Sequence, residues 1–368
     1  MADARSEEPA APDVAEVWKR VADALSEAGV DEGALEAAAA SGPDAVGLLI
    51  ARHLTFPGER RYTPREVYEI TGVDDETARA LWRAMGFALV PEDERAFTDA
   101  DVEAVRSAAH LFEVAGVARS VVLHQARAMG QAVARIATSH GEVIGEMADD
   151  SDIVRAAEDA VSLAEEALPM LDRLLVYMYR RHLSAAIEQR MLMTRTEEGA
   201  VGMSVGFADM ARFTSLSQEL APSELASLIE RFNAATADVV SQGKGRIIKT
   251  IGDEVMFTTL EAASAAMIAL ELLEAVSPDA DFPPLHVGLA TGPVIPREGD
   301  VFGPTVNLAN RLVAIARDDS TLVDQTTADV LAEDPRFALK PIPSHQLKGL
   351  GRIRPYRLRR ADGARAAT

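Results

Sequence analysis

The chain has 368 residues, enough for two domains that each bury a hydrophobic core. It contains no cysteine, which excludes a disulfide framework and a thiolate metal site and fits a reducing compartment. The net charge of −21 argues against nonspecific binding to nucleic acid or to an anionic membrane. No apolar run approaches the length of a membrane span, and the first residues lack a signal-peptide core, so we expect a cytoplasmic protein.

The N-terminal half is predicted to be helical almost throughout. Residues 1–12 are acidic and rich in Pro and Ala, so we expect a disordered tail there. From residue 13 to residue 170 apolar residues recur at helical spacing, which predicts an all-helical domain. The segment 171–199 predicts an amphipathic helix that ends in a polar linker. A small apolar ligand could bind between such helices, although the sequence does not distinguish a pocket from a filled core.

A pair of short helices is predicted between residues 62 and 99. Thr63 and Pro64 mark the start of the first helix, Gly72 marks its end, and Asp74 caps the second. This arrangement resembles the helix-turn-helix of MerR-type regulators. However, the stretch carries nine acidic residues against four arginines, and carboxylates at the start of a recognition helix would repel DNA. We therefore expect a compact helical module and no nucleic-acid partner.

Residues 200–358 alternate between strand and helix patterns. We predict a strand at 202–208, a helix at 222–241, a hairpin at 245–259, a helix at 261–276, a strand at 285–290, a helix at 303–317, a strand at 320–324 and two late strands around Lys348. This order predicts an α+β, ferredoxin-like domain, with helices on one face of a largely antiparallel sheet. Residues 359–368 are predicted to be a C-terminal tail.

The hairpin carries the first chemical motif. Two β-branched and aromatic runs flank Gly252 and Asp253, which places a carboxylate in the turn between two strands. By itself this pattern is equally typical of an ordinary hairpin. Two further motifs accompany it: the strand that ends at Asp209 and runs into a helix, and the segment 299–311, in which Asn307 and Arg311 lie one helical turn apart.

In this order, the segments 205–214, 246–258 and 299–311 resemble the catalytic domain of class III adenylyl cyclases. The resemblance covers about residues 200–358. It implies conversion of ATP into 3′,5′-cyclic AMP and pyrophosphate, by attack of the 3′-hydroxyl on the α-phosphate. The layout, a helical regulatory domain ahead of one cyclase domain, is similar to the mycobacterial-type soluble pH-sensing adenylyl cyclases.

The resemblance also implies a role for each matching residue: ligands for two Mg²⁺ or Mn²⁺ ions, a pair that selects adenine, a pair that acts on the ribose and the transition state, and contacts to the rest of the substrate. The implied metal ligands are Asp209, the Met210 carbonyl and Asp253, and the implied adenine-selecting pair is Lys249 and Asp300. Asn307 would act on the ribose and Arg311 on the transition state. The implied contacts to the rest of the substrate are Phe213, Thr214, His286 and Lys348. Two positions depart from the family pattern, since Arg212 replaces a usual Gly and His286 a frequent Arg. Activity is expected to survive both changes.

In this family the metal ligands and the transition-state residues meet only across a dimer interface, which implies a homodimer with two equivalent sites. Regulation then needs only a change in how two catalytic domains face each other, and the 171–199 segment is the expected switch. We hypothesise activation by acid, because four histidines lie in the predicted regulatory half: His110, His124, His140 and His182.

Three other functions are compatible with parts of the sequence. A nucleotide-sensing helix-turn-helix regulator with an inactive cyclase domain remains the alternative, although the intact residue pairs argue against it. A guanylyl cyclase would require different residues at positions 249 and 300. A diguanylate cyclase would require a Gly-Gly-Asp/Glu-Glu-Phe loop, which the sequence around Gly252 and Asp253 lacks.

Overall fold

A computed structural model describes most of the chain: residues 32–42, 58–116, 118–147, 166–192, 200–276 and 282–361, with a few single positions before residue 57. The chain divides into two compact units, Met1–Ala185 and Ala186–Thr368. The predicted tail 1–12, the polar linker before residue 200 and the last seven residues lie outside the described part. The predicted domain boundaries therefore stay predictions.

The described regular structure of the first unit is helical. Its helices are α1 (Glu32–Ser41), α2 (Pro64–Thr71), α3 (Asp75–Ala84), α4 (Asp99–Ala115), α5 (Arg119–Met147) and α6 (Leu168–Leu192), which continues into the second unit. An isolated β-bridge joins Tyr62 to Phe97. These described helices agree with the prediction of a helical N-terminal region. No described helix combines the length and the apolar character that a bilayer crossing requires.

The two short helices begin and end where their capping residues predict. At the start of α2, the Glu66 amide donates to the Thr63 hydroxyl, and the Thr63 amide donates to the Glu66 carboxylate at 2.8 Å. Gly72 ends the helix in the left-handed region, with φ 71°. Asp74 then caps α3 by accepting from the Thr77 amide at 2.8 Å. These local signals act over four residues or fewer, which is why the sequence alone locates both helices.

A small hydrophobic core holds this helical module together. Val67, Phe97 and Val105 are buried, and the Trp82 ring packs against Phe97 at a centroid distance of 5.0 Å. The gap left among these side chains is about 20 Å³, room for about one water molecule. This core is therefore filled.

The second unit is an α+β domain. Its strands are β1 (Val201–Met210), β2 (Arg246–Ile251), β3 (Glu254–Thr259), β4 (Leu285–Arg297), β5 (Asp300–Phe302), β6 (Ser320–Val323), β7 (Phe337–Pro341), β8 (His345–Leu347), β9 (Gly351–Ile353) and β10 (Tyr356–Arg360). Its helices are α7 (Phe213–Glu219), α8 (Pro222–Gln242), α9 (Ala262–Val276), α10 (Pro304–Val313) and α11 (Gln325–Leu331).

The main sheet has the strand order β2-β3-β1-β4-β6-β10-β7, with β5 paired to β4 and with β8 and β9 forming a separate hairpin. All pairs in the main sheet are antiparallel except β4 with β6. The largely antiparallel sheet is therefore confirmed, and the elements from β1 to β4 follow the ferredoxin-like order. The predicted helix 303–317 is shorter than expected, β4 is longer, and α11 was not predicted.

The expectation that helices cover one face of the sheet is wrong. Along β1, Ala208 and Met210 join the core formed with α8 and α9, whereas Val205 and Phe207 join a second core that contains Ala309 of α10. Successive side chains of a strand point to opposite faces, so these two cores lie on opposite sides of the sheet. The reason is that β1 is apolar at nearly every position, and a strand buried on both sides requires a layer on each.

Helix α10 lies very close to β4, and Gly288 makes this possible. A Cβ atom at Gly288 would lie 2.5 Å from the Ala309 carbonyl oxygen and 2.6 Å from the Val313 amide nitrogen. Because both of these atoms belong to the backbone, no side-chain rotation could relieve the overlap. Gly288 therefore sets the height of α10 above the sheet.

We predict that Gly288→Ala lowers the free energy of unfolding by about 1–3 kcal/mol, because the added methyl group pushes α10 away from β4. Gly202→Ala is the matched control, since a Cβ atom at Gly202 meets nothing within 4 Å. Urea denaturation of the two variants measures the difference. Equal denaturation midpoints would contradict the close approach of α10.

Candidate active site

The candidate site lies where β1 ends. Asp209 pairs with Glu254 on β3 and with His286 on β4. Residues directly opposite each other in antiparallel strands point to the same face, so these three side chains form a row across the sheet. The row lies on the face covered by α10, because Phe207, two residues before Asp209, packs there. The face of the sheet that packs against α10 thus becomes polar at the end of β1.

A pair of carboxylates forms the centre of this site. Asp253 lies in the turn between β2 and β3, which Gly252 allows by adopting φ 63°. The Met210 amide donates to the Asp253 carbonyl at 3.2 Å and so ties this turn to the end of β1. Burial and the adjacent Asp253 carboxylate raise the pKa of Asp209 from 3.8 to about 7. Burial, and then Asp253, also raise the pKa of Glu254.

This pair fits a divalent cation. Two crowded carboxylates repel each other when both are ionised, and a cation between them would remove that cost. Within the described part of the chain, no group of three or more His, Asp and Glu side chains has the arrangement of a metal site. One or two carboxylates, completed by substrate phosphates and water, are the usual protein ligands of Mg²⁺. The donor set at Asp209 and Asp253 is therefore suited to a hard cation that is shared with a substrate.

A second predicted pair also comes together. The Lys249 ammonium group on β2 donates to the Asp300 carboxylate on β5 at 2.6 Å. The other carboxylate oxygen of Asp300 accepts from the Val301 amide at 2.7 Å, which fixes its orientation. The Arg246 guanidinium donates to the Gly299 carbonyl at 3.0 Å and holds the β4–β5 turn against β2. Lys249 and Asp300, which lie 51 residues apart in the sequence, thus form an oriented pair of one hydrogen-bond donor and one acceptor.

The remaining predicted residues are spread over the unit. Asn307 and Arg311 are exposed on α10 and are separated by one turn; Lys348 is exposed in the turn between β8 and β9. Phe213 and Thr214 open α7, where Phe213 packs partly on the core and Thr214 is exposed. Among the described residues of one chain, no hydrogen bond or ion pair connects Asn307, Arg311 or Lys348 with Asp209 or Asp253.

Two polar neighbours of the site escaped prediction. Glu254 lies beside Asp209, and the Asn310 amide group on α10 donates to its carboxylate at 3.2 Å. Glu254 could have been found from the sequence, because it directly follows Asp253 at the start of a strand. Asn310 could have been found only with the fold, since the contact spans 56 residues.

The two departures from the family pattern meet at a third residue. Arg212 and His286 both contact Asp318, which lies between α10 and β6, at 2.7 Å and 3.1 Å. The Arg212 guanidinium is therefore directed to the loop between α10 and β6. No local sequence pattern marks Asp318, because it lies 106 residues from Arg212 and 32 from His286.

The fold and the site define a class III nucleotidyl cyclase, and comparison with known proteins agrees. Residues 196–360 match the adenylate and guanylate cyclase catalytic domain, and residues 18–194 match the adenylate cyclase regulatory domain. The chain belongs to the adenylate cyclase family.

Relatives of this family align with most of the chain. An adenylate cyclase of Streptomyces coelicolor is 38% identical over 84% of this chain and 89% of its own. One of Streptomyces griseus is 40% identical over 76% of this chain and 70% of its own. A Mycobacterium tuberculosis protein named a pH-sensitive adenylate cyclase is 29% identical over 85% and 82%. The predicted family is confirmed, and its relatives include a mycobacterial protein named a pH-sensitive adenylate cyclase.

The raised pKa of Asp209 predicts a stability effect with a definite sign. The pKa of Asp209 is higher in the folded state than in the unfolded chain. Ionisation of Asp209 therefore leaves the free energy of unfolding unchanged below about pH 4, lowers it progressively as the pH rises, and has its full destabilising effect above about pH 7. In metal-free protein, Asp209→Asn should therefore raise the free energy of unfolding at pH 8 by about 1–2 kcal/mol, after allowance for partial exposure.

Urea denaturation at pH 5 and pH 8 with a chelator measures this effect, which should be smaller at pH 5. Asp334→Asn is the control of opposite sign, because hydrogen bonds from Arg336 lower the pKa of Asp334. An Asp209→Asn variant that is less stable than the natural protein at pH 8 would contradict the repulsion.

Proposed function

We propose that this protein converts ATP into 3′,5′-cyclic AMP and pyrophosphate. The observation that carries the proposal is the crowded pair Asp209 and Asp253, which brings two carboxylates together in a cyclase fold. We assign both side chains, with the Met210 carbonyl, as ligands of two Mg²⁺ or Mn²⁺ ions. Bound there, such ions would lower the pKa of the 3′-hydroxyl and neutralise charge on the triphosphate.

Lys249 and Asp300 are proposed to select adenine. The Lys249 ammonium would donate to the N1 acceptor of adenine, and the Asp300 carboxylate would accept from the exocyclic amine. Guanine reverses both functions, because its N1 is a donor and its exocyclic oxygen is an acceptor. Both contacts would therefore become unpaired or repulsive. The ion pair between the two residues supports this assignment, because it already holds one donor and one acceptor side by side at 2.6 Å.

Asn307 and Arg311 are proposed to act on the reacting groups. Asn307 would orient the ribose, and Arg311 would donate to the phosphate oxygens as negative charge develops on them. A preorganised donor of this kind contributes on the order of 3–4 kcal/mol to transition-state stabilisation. Lys348, His286 and the segment 213–214 would hold the phosphates of the ground state.

The arrangement of these groups supports a site shared between two copies. Asn307 and Arg311 are exposed on α10 and have no link to the carboxylate pair of the same described chain. A second copy could bring its own α10 to that pair, and a two-fold dimer would then form two equivalent sites. We propose this homodimer as the active form, with Asp209 and Asp253 from one subunit and Lys249 and the α10 residues from the other.

We propose that the N-terminal unit controls this assembly. In this proposal 13–170 is the regulatory domain, 171–199 the switch and 200–358 the catalytic domain of a cytoplasmic enzyme. A relative named a pH-sensitive adenylate cyclase supports a response to pH. The four histidines considered for this role lie on described helices: His110 on α4, His124 and His140 on α5, and His182 on α6. Their involvement, like that of an apolar ligand, stays a prediction.

The test of the proposed reaction is a direct assay of the full chain with Mn²⁺ and either ATP or GTP. We expect cyclic AMP from ATP and far less cyclic GMP from GTP. Asp253→Asn should reduce turnover of ATP by about 100-fold or more, because it removes charge from the cation site. The control is Asp238→Asn, which alters an exposed carboxylate on α8 outside the site. If the natural protein binds ATP and forms no cyclic product, the nucleotide-sensor interpretation replaces this one.

A further inference from the structure

Two members of a three-residue cluster beside the carboxylate pair, Arg212 and Asp318, have no role in the proposed reaction so far, whereas the third is His286. Arg212 follows β1, His286 lies on β4, and Asp318 lies in the loop between α10 and β6. The Arg212 guanidinium donates to one oxygen of Asp318 at 2.7 Å, and the His286 Nε2 atom contacts the other oxygen at 3.1 Å. The Asp318 carboxylate thus contacts two basic side chains that come from separate parts of the fold.

This cluster adjoins the proposed cation site. His286 is directly opposite Asp209 on the neighbouring strand, with its side chain on the same face of the sheet. Arg212 is three residues beyond Asp209, after the chain has left β1. Any polyanion that binds at the carboxylate pair through a divalent cation therefore has this cluster as its neighbour on the β4 side.

The Arg212 side chain keeps most of its hydrogen-bonding capacity. Guanidinium has five N–H donors, and one of its terminal nitrogens contacts Asp318. The side chain is 71% exposed, so its other donors face solvent. Asp318 therefore orients the guanidinium and leaves donors available for a ligand. The fork of these donors matches the oxygens of a phosphate group.

The backbone at Arg212 also points to a function. Arg212 adopts φ 62° and ψ 18°, the left-handed region that disfavours residues with a Cβ atom. A glycine would fit this conformation without strain, and strained residues concentrate at functional sites. Arginine thus occupies a position whose backbone conformation favours glycine.

Asp318 is held firmly enough to act as a support. Its neighbour Asp319 accepts a hydrogen bond from the Leu285 amide at 3.1 Å, which ties the loop to the start of β4. Ser320 donates to the Arg317 carbonyl at 2.6 Å and accepts from the Arg317 amide at 2.9 Å, closing the loop on itself. Fixed between these anchors, the Asp318 carboxylate limits the positions that the long Arg212 side chain can occupy.

We propose that Arg212, positioned by Asp318, binds the two terminal phosphates of the nucleotide, the part that leaves as pyrophosphate. The proposal rests on the proposed cyclase function and adds a substrate-binding residue and a positioning residue to it. Arg212 supplies permanent positive charge beside the His286 imidazole. Asp318 contributes by holding the guanidinium in place before the substrate arrives.

The test compares Arg212→Gly with Lys244→Gly in the full-length protein. Lys244 is a matched control: it is an exposed cation with φ 58°, and it precedes β2 at the end away from the Gly252 turn. Both changes remove a positive charge and relieve the same backbone strain, so both variants should fold. We expect Arg212→Gly to raise the KM for ATP about tenfold with kcat within about twofold of the natural value. Lys244→Gly should change neither.

Product inhibition identifies which part of the nucleotide is affected. Arg212→Gly should weaken inhibition by pyrophosphate about as much as it raises KM, and it should leave inhibition by cyclic AMP unchanged. Arg212→Lys should recover part of the loss. Asp318→Asn should raise KM by a smaller factor, and its effect should shrink when Arg212 is already Gly, because a positioning residue acts through its partner.

An unchanged or lower KM in Arg212→Gly would overturn the proposal, as would equal weakening of inhibition by pyrophosphate and cyclic AMP. A lower KM in Asp318→Asn would show that the carboxylate competes with the phosphates, and would overturn its positioning role. These results require a natural protein that forms cyclic AMP. A natural protein without turnover instead contradicts the proposed reaction.

Discussion

The repulsion between Asp209 and Asp253 is the constraint on which the rest of the site depends. Two carboxylates are brought together in a half-buried place because β1 ends beside the turn of the β2–β3 hairpin. Burial, and then the neighbouring Asp253 carboxylate, raise the pKa of Asp209 to about 7, and no described cation pairs with Asp209. Such an arrangement costs stability, so its persistence is best explained by a ligand that carries positive charge.

One face of the sheet holds the larger hydrophobic core, and the other face carries the polar residues of the candidate site. The face covered by α8 and α9 holds the larger apolar core, to which Ala208 and Met210 of β1 contribute. The opposite face begins as a second core beneath α10 and becomes polar at Asp209, Glu254 and His286. The same strand therefore packs against the larger core on one side and carries the Asp209 carboxylate on the other.

How much of this could be read from the sequence depended on distance along the chain. Gly252 and the two apolar runs around it define the hairpin locally, and the capping pattern at Thr63 does the same for a helix. The Lys249–Asp300 contact spans 51 residues and was predicted only through the family resemblance. Helices on both sides of the sheet were missed, although the almost continuous apolar run of β1 carried the signal. The contacts of Asp318 had no local signal, because they depend on how three separate loops and strands meet.

In the proposed homodimer, two copies of the chain complete each other's sites. The most direct measurement mixes two full-length variants, Asp209→Ala and Arg311→Ala, each of which should be nearly inactive alone. If the carboxylates and the α10 arginine come from different subunits, random pairing forms mixed dimers with one intact site, and the mixture should recover about a quarter of natural cyclase activity. A mixture that exchanges subunits and stays as inactive as its components would contradict the shared site.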